Sequence, residues 1–347
     1  EINFDSKIHF DLPFRLLGNS SKFKFGGAAI IKDREFMEQK FSFRENTNSY
    51  IGDIPVYLQN SNMDAAAGKL HVANSISSDN KNSYNGNQYV FGGYVSGDLG
   101  LTPKLRLVAG ARLEYAYIIS KSLKENEPKG VVENYDILPS ANLIYSFKEK
   151  INLRGAYYRT LARPTFRELA PYASFDFVGD YIFIGNADLN RTLVDNFDIR
   201  WEYFIAPGEM VSVSGFYKSF TDPIERTFNT EAVNPELTLR NVDQAQVAGV
   251  EAEFRIGLDF VSFLRDFVIG GNVAFVKSMV SIGEQELALK RVFDPNFPST
   301  RVMFGQAPYI ANGYIEYKND SIGLGINVGY NISGEKLYLV NAVGIPD

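Results

Sequence analysis

Between Leu161 and Leu193 the chain collects the side chains best suited to chemistry. Arg163, Arg167 and Arg191 are interleaved with the rings of Tyr172, Phe175, Phe177, Tyr181 and Phe183. Guanidinium groups grip carboxylates in a planar fork and stack on rings, while large rigid rings give contact area at little entropic cost. The combination suits noncovalent recognition of an anionic or ring-bearing ligand. It equally suits a network in which Arg163, Arg167 and Glu168 fix the segment to a scaffold. Catalysis finds no footing here. His9 and His71 lie in different regions with no second ligand at metal-binding spacing. No Ser, His and Asp constellation can be assembled around either. The absence of Cys removes disulfides and thiolate metal sites. The reading is a binding protein and not an enzyme, with no cofactor.

What holds such a segment must be sought in the rest of the 347 residues. Phe and Tyr number 27 and 20, an excess that favours strands over helices. The formal net charge of −6 argues against nucleic acid as a partner. No apolar run approaches the roughly 18 residues of a membrane-spanning helix. Spanning strands are not excluded, because only every second residue of such a strand is apolar.

Alternation of that kind pervades the sequence. From Asp195, Phe197, Ile199, Trp201 and Tyr203 take one face, and Asp198, Arg200 and Glu202 the other. After the turn cluster Ala206-Pro207-Gly208-Glu209, Val211, Val213, Gly215 and Tyr217 oppose Ser212, Ser214 and Lys218. This is a hairpin whose arms, at roughly ten residues each, can cross a bilayer as tilted strands. Leu105 to Tyr117 repeats the pattern, with Arg106, Arg112 and Glu114 on the polar face. About a dozen such strands follow one another. Short turns near residues 19, 101, 149, 207, 261 and 320 alternate with longer loops near 64, 127, 176, 232 and 292. A soluble β-sandwich would alternate as well, but it has no reason to place every long loop at one end. Outer-membrane barrels do, and aromatics such as Phe147, Phe204, Tyr117, Tyr135 and Tyr217 fall at strand ends where interfacial girdles belong. The expected fold is therefore all-β, an antiparallel transmembrane β-barrel whose charged face lines a wide lumen.

From Asn152 to Phe254 the sequence resembles the TonB-dependent outer-membrane receptors, especially those of Bacteroidota-type bacteria. The resemblance rests on Tyr157-Tyr158-Arg159-Thr160-Leu161-Ala162-Arg163-Pro164-Thr165-Phe166-Arg167-Glu168-Leu169, Gly185-Asn186-Ala187-Asp188-Leu189 and Asp195 to Tyr203. Asn241-Val242-Asp243, Gly249-Val250-Glu251 and Gln306-Ala307-Pro308-Tyr309 extend it. Ala187 stands where many members carry Pro, and Arg191-Thr192 where a Pro-Glu pair is common. The resemblance implies a twenty-two-stranded barrel with an N-terminal plug and a motif that recruits TonB. Residues 1–347 are then expected to form a partial barrel, with the N-terminal plug and C-terminal strands absent.

It also implies active uptake of a scarce nutrient such as a siderophore, glycan or peptide, in the outer membrane of a Gram-negative bacterium. Outer-membrane lipid, TonB acting through the absent N-terminal part, and the small or oligomeric nutrient are the expected partners; a surface lipoprotein is a further one that the resemblance admits. The rival readings are a passive porin and a structural or secretion-associated barrel that binds proteins. Arg163, Arg167 and Glu168 are read as scaffold, because they lie in a shared motif whereas ligands differ. Tyr172, Phe175, Tyr181 and Arg191 are the expected ligand contacts at the mouth.

Overall fold

The computed structural model describes residues 1–38, 41–44, 53–64, 66–67, 69–74, 82–176, 181–228 and 236–337. Twelve strands follow one another in a single antiparallel meander. They are β1 (Ile2–Leu16), β2 (Asn19–Phe36), β3 (Tyr84–Thr102), β4 (Leu105–Ser122), β5 (Lys129–Lys148) and β6 (Ile151–Ala162). The path continues with β7 (Thr192–Ala206), β8 (Glu209–Thr221), β9 (Gln244–Gly257), β10 (Phe267–Ser281), β11 (Tyr309–Asn319) and β12 (Leu324–Ser333). Thr300–Arg301 adds two residues beside β10. No helix among the described residues is long and apolar enough to cross a membrane.

Register follows from turn chemistry. Leu17 and Gly18 both take positive φ, as the tightest hairpin turn demands, and they lock Leu16 opposite Asn19. Gly208 does the same service between β7 and β8, where Ile199 faces Gly215. Because side chains alternate, each register fixes which face a residue occupies. The two faces are inverted relative to a soluble protein. Large apolar side chains point outward, among them Tyr135 (72% exposed), Ile199 (57%) and Trp201 (40%). The inward face buries Asp98, Asp136, Asn196, Glu202 and Ser212. An apolar exterior of this extent is incompatible with a monomer in water and is what hydrocarbon requires. Two aromatic bands border it. Tyr157, Phe197 and Tyr217 stand near the long-loop end, and Trp201 packs with Tyr203 near the short turns.

The strands outrun the sequence reading. The β4–β5 ladder runs on into the loop placed near residue 127, as far as the Lys121–Lys129 pair. The first strand begins at Ile2. The long loops also hold structure of their own. Four short strands form a second sheet in the order Ile224–Phe228, Glu236–Asn241, Tyr181–Ile184 and Ala173–Asp176, and its middle pair is parallel. A ten-residue helix, Glu284–Phe293, occupies the loop between β10 and β11. The alternation expected of the barrel thus describes the spanning strands and not the loops, where segments of four to six residues are too short to show a period.

A lysine placed at Ile199 on the outward face should destabilise the folded protein by about 2–4 kcal/mol. Ser96→Ala on the inward face should change stability by less than about 1 kcal/mol. Urea unfolding from lipid vesicles measures both, and equal effects would contradict the assignment of faces.

Candidate functional site

The inward ends of β3, β4 and β5 carry the largest apolar cluster, made by Tyr84, Ile118 and Val132. The segment after β6 turns inward over it. Pro164 ends the strand, and Thr165 caps a one-turn helix, Phe166–Leu169. The Thr165 hydroxyl accepts from the Glu168 backbone N–H, and the Glu168 carboxylate accepts from that of Thr165. Phe166 and Leu169 drop into the cluster. The wall is shaved to admit them: a Cβ on Gly86 would lie 2.7 Å from the Phe166 ring, and one on Gly130 2.8 Å from Leu169.

Arg163 locks this arrangement. Its guanidinium donates to Glu114 at 2.8 Å and lies 3.6 Å from Asp136. Arg191, where the segment returns to β7, donates to the same Asp136. Glu114 also accepts from Arg112. Three cations and two carboxylates thus run along the inner wall of β4 and β5, and the Asp136 residue is 3% exposed. Buried charges persist only when paired: Glu114 takes the hydrogen bond of Arg163, Asp136 takes that of Arg191, and the two carboxylates face each other across β4 and β5.

Arg167 is the second hub. It stacks 4.0 Å from the Tyr172 ring and 4.4 Å from that of Phe183, and it donates to the Phe183 carbonyl at 2.9 Å. Such desolvated cation–π contacts contribute about 2 kcal/mol each. Burial pushes the Arg167 guanidinium below its usual range and raises the Tyr172 phenol above its own. Tyr172 is 4% exposed and stacks on Phe36 and Tyr84.

The other motif residues join this loop to its neighbour. A Cβ at Gly185 would lie 2.2 Å from the Ala170 carbonyl, so only glycine fits there. Asn186 donates to the Leu239 carbonyl at 2.9 Å, and the Asn190 N–H to the Asn241 side chain at 2.8 Å. Asn241 in turn donates to the Asp222 carbonyl at 2.7 Å. The parallel pairing of Tyr181–Ile184 with Glu236–Asn241 follows from these anchors.

Of the four expected contacts, the structure places Tyr172 inside the aromatic stack and Arg191 on Asp136. Phe175 pairs with Ile182, and Tyr181 with Asp176, in the antiparallel rung beside it. The side chains of Phe175 and Tyr181 lie outside the described residues, as does Phe177. The scaffold role expected of Arg163, Arg167 and Glu168 is visible in their bonds. Sequence reasoning missed Glu114 and Asp136 as the anchors, although their facing positions follow once the β4–β5 register is known. It also missed a second ionic seam, where Arg301 pairs with Glu225 and Arg240 with Glu286. There burial, and then Arg301, push Arg240 below its usual range.

Arg163→Met should leave the barrel inserted but release the segment, raising the rate of proteolytic cleavage between residues 164 and 191 at least about tenfold, since breaking a buried pair costs about 3–5 kcal/mol. Cleavage at the unaltered rate would show that Arg163 is not the anchor.

The model of the family described as TonB dependent receptor-like, beta-barrel, matches residues 3–344. No curated protein matches the sequence. Among solved structures, the siderophore receptor PiuA from Acinetobacter baumannii is similar with a TM-score of 0.62 at 12% identity, over 95% of this chain and 46% of that one. The alcaligin outer-membrane receptor FauA from Bordetella pertussis gives 0.58 at 12% identity, over 96% and 46%. A variant of the ferric enterobactin receptor PfeA from Pseudomonas aeruginosa, in complex with enterobactin, gives 0.54 at 15% identity, over 92% and 40%. The chain thus spans less than half the length of these structures, and at such identities they speak for the fold alone. A polar-lined, apolar-coated meander and a family match over nearly its whole length agree: the chain belongs to the TonB-dependent receptor-like β-barrel family.

Proposed function

We propose that this chain is barrel wall and surface loops of an outer-membrane receptor that captures a scarce nutrient and imports it with energy relayed by TonB. The observation that carries this reading is the folded cap at the long-loop end. Its two ends are held by one ionic cluster, Arg163 on Glu114 and Arg191 on Asp136. A receptor needs such order, because a preorganised surface loses less entropy when it binds. TonB would act through a part of the protein outside these 347 residues, where a plug would also belong. The Bacteroidota-type affinity rests on the motifs from Tyr157 to Leu169 and from Gly185 to Leu189. A surface lipoprotein remains a partner proposed from that affinity.

Ligand is proposed to be met at the mouth by the segment that carries Tyr172, Phe175, Tyr181 and Arg191. Support for Arg191 is its partly exposed side chain. Tyr172 would act chiefly by holding the ring stack, and Phe175 and Tyr181 belong to the paired strands Ala173–Asp176 and Tyr181–Ile184. The solved neighbours are named for siderophores, so ferric siderophores are the first class to try.

Uptake of radioactive iron, presented as a panel of ferric siderophores to cells making the full-length protein, tests the function. Accumulation that disappears in cells lacking TonB is the expected result. TonB-independent accumulation would favour the passive porin, and no accumulation of any nutrient class tried, including oligosaccharides and peptides, would favour a structural or secretion-associated barrel. Tyr172→Ala combined with Tyr181→Ala should weaken ligand binding roughly tenfold or more in correctly inserted protein; unchanged affinity would make the segment scaffold only.

A further inference from the structure

The outward face holds a groove of about 1050 Å3 between the two aromatic bands, above β5 to β10. Its floor includes Ala141, Gly155 and Gly215, and its walls include Phe197, Tyr217 and Phe275. The glycines are not there for packing. A Cβ at Gly155 would meet nothing within 4 Å, and one at Gly215 only an ordinary contact of 3.5 Å with Ile199. Glycine weakens a strand interior and is found there chiefly where a bulge, a bend or a close approach demands it. Gly155 and Gly215 sit in unbroken ladder register, opposite each other's neighbour Ile199, so neither marks a bulge. Nothing in the chain covers either glycine, so their outward side is open to an occupant from the membrane.

The chemistry of that occupant can be read from the rim. Tyr157, Phe197, Tyr217, Ala248 and Lys277 stand side by side across five strands. The next outward row toward the long loops brings Ser219 beside Gln246. Lys277 lines the groove, is exposed, and has no ion-pair partner among the described residues. An unpaired ammonium at the level of an aromatic band, on the rim of an apolar groove whose glycine floor begins two strands away at Gly215, is complementary to an anion joined to a hydrocarbon chain. Arg159, one row away, cannot serve in its place, because Asp195 holds it at 2.8 Å.

We propose that this groove is a seat for one anionic lipid of the membrane, with an acyl chain laid over Gly155 and Gly215 and its phosphate against Lys277. It is separate from the nutrient site, being on the opposite face of the wall. The small floor lets the chain lie closer to the backbone than the surrounding annular lipid, and the Lys277 ammonium, the Tyr217 hydroxyl and the Gln246 amide supply donors to the phosphate. Gly313, on the outward face of β11, is equally open, but the outward residues beyond it on that strand, Ala311 and Tyr309, carry no charge, so the headgroup selectivity belongs to the β6–β10 face.

Native mass spectrometry of the full-length protein in detergent, incubated with phosphatidylglycerol or with phosphatidylcholine of the same acyl chains, tests this. The wild type should retain one phosphatidylglycerol in preference to phosphatidylcholine. Lys277→Glu should lower that retention roughly tenfold and leave phosphatidylcholine unaffected. Gly155→Leu, whose Cβ would meet nothing within 4 Å, should fill the groove and lower retention of both, while Lys121→Glu, on the outward face far from the groove, should change neither. Heat-modifiable gel migration confirms that each variant is folded. Equal retention of the two lipids by the wild type, or wild-type retention in both Lys277→Glu and Gly155→Leu, would overturn the proposal. A doubled protein mass lost in Gly155→Leu would also overturn it, since the occupant would then be a second copy of the chain.

Discussion

Every feature of this chain depends on one constraint: in hydrocarbon a backbone N–H or C=O has no water to turn to. Each unpaired group costs several kcal/mol, so a spanning segment must be bonded to its neighbours along its length. The antiparallel meander meets that demand from β2 through β11, each of which is laddered on both sides. The same constraint inverts the faces. Because lipid is as apolar as a protein core, the outward residues need no packing partners, and Ile199 or Val328 stands exposed without penalty. Between the aromatic bands the charged residues go inward, where Arg154, Glu202, Arg200 and Glu253 bond in a chain of 2.8–3.0 Å contacts.

The apolar packing that a soluble domain would place at its centre is displaced to the long-loop end. There Tyr84, Ile118 and Val132 support Phe166, Leu169 and Tyr172. This small core could not order a thirty-residue loop by burial alone. The ionic chain from Arg112 through Glu114, Arg163 and Asp136 to Arg191 supplies direction where the apolar contacts supply bulk. Buried pairs add little net stability over apolar substitutes, but a broken one is expensive. Their effect is to allow one arrangement of the loop and penalise others. That is the property a recognition surface needs.

How much of this could be read from the residues alone follows from the range of the interactions. Period-2 alternation is local, so the strands, their faces and the barrel class were legible, down to Phe197, Ile199, Trp201 and Tyr203 on one side. The roles of Arg163, Arg167 and Glu168 as scaffold were legible from the motif they share. The partners were not, because Glu114 and Asp136 lie far from Arg163 in sequence and meet it only through strand register. Tyr172 shows the limit most clearly. An aromatic in a loop reads as an exposed contact surface, but Phe36 and Tyr84, from two distant strands, enclose it. The helix at Glu284–Phe293 escaped notice for a related reason: it buries Glu286 and Lys290 and exposes Leu289, Val292 and Phe293, so its pattern is reversed relative to an ordinary amphipathic helix.

The inverted wall is the claim on which everything else rests, and the absence of Cys makes it directly measurable. Single cysteines introduced in turn from Phe197 to Tyr203, spin-labelled in the full-length protein in lipid bilayers, report whether each position meets lipid or water. Labels at positions 197, 199, 201 and 203 should be relaxed by oxygen, which concentrates in hydrocarbon. Those at 198, 200 and 202 should instead respond to a water-soluble nickel chelate or be shielded from both reagents. A uniform profile along the strand, or the opposite phase, would contradict the account.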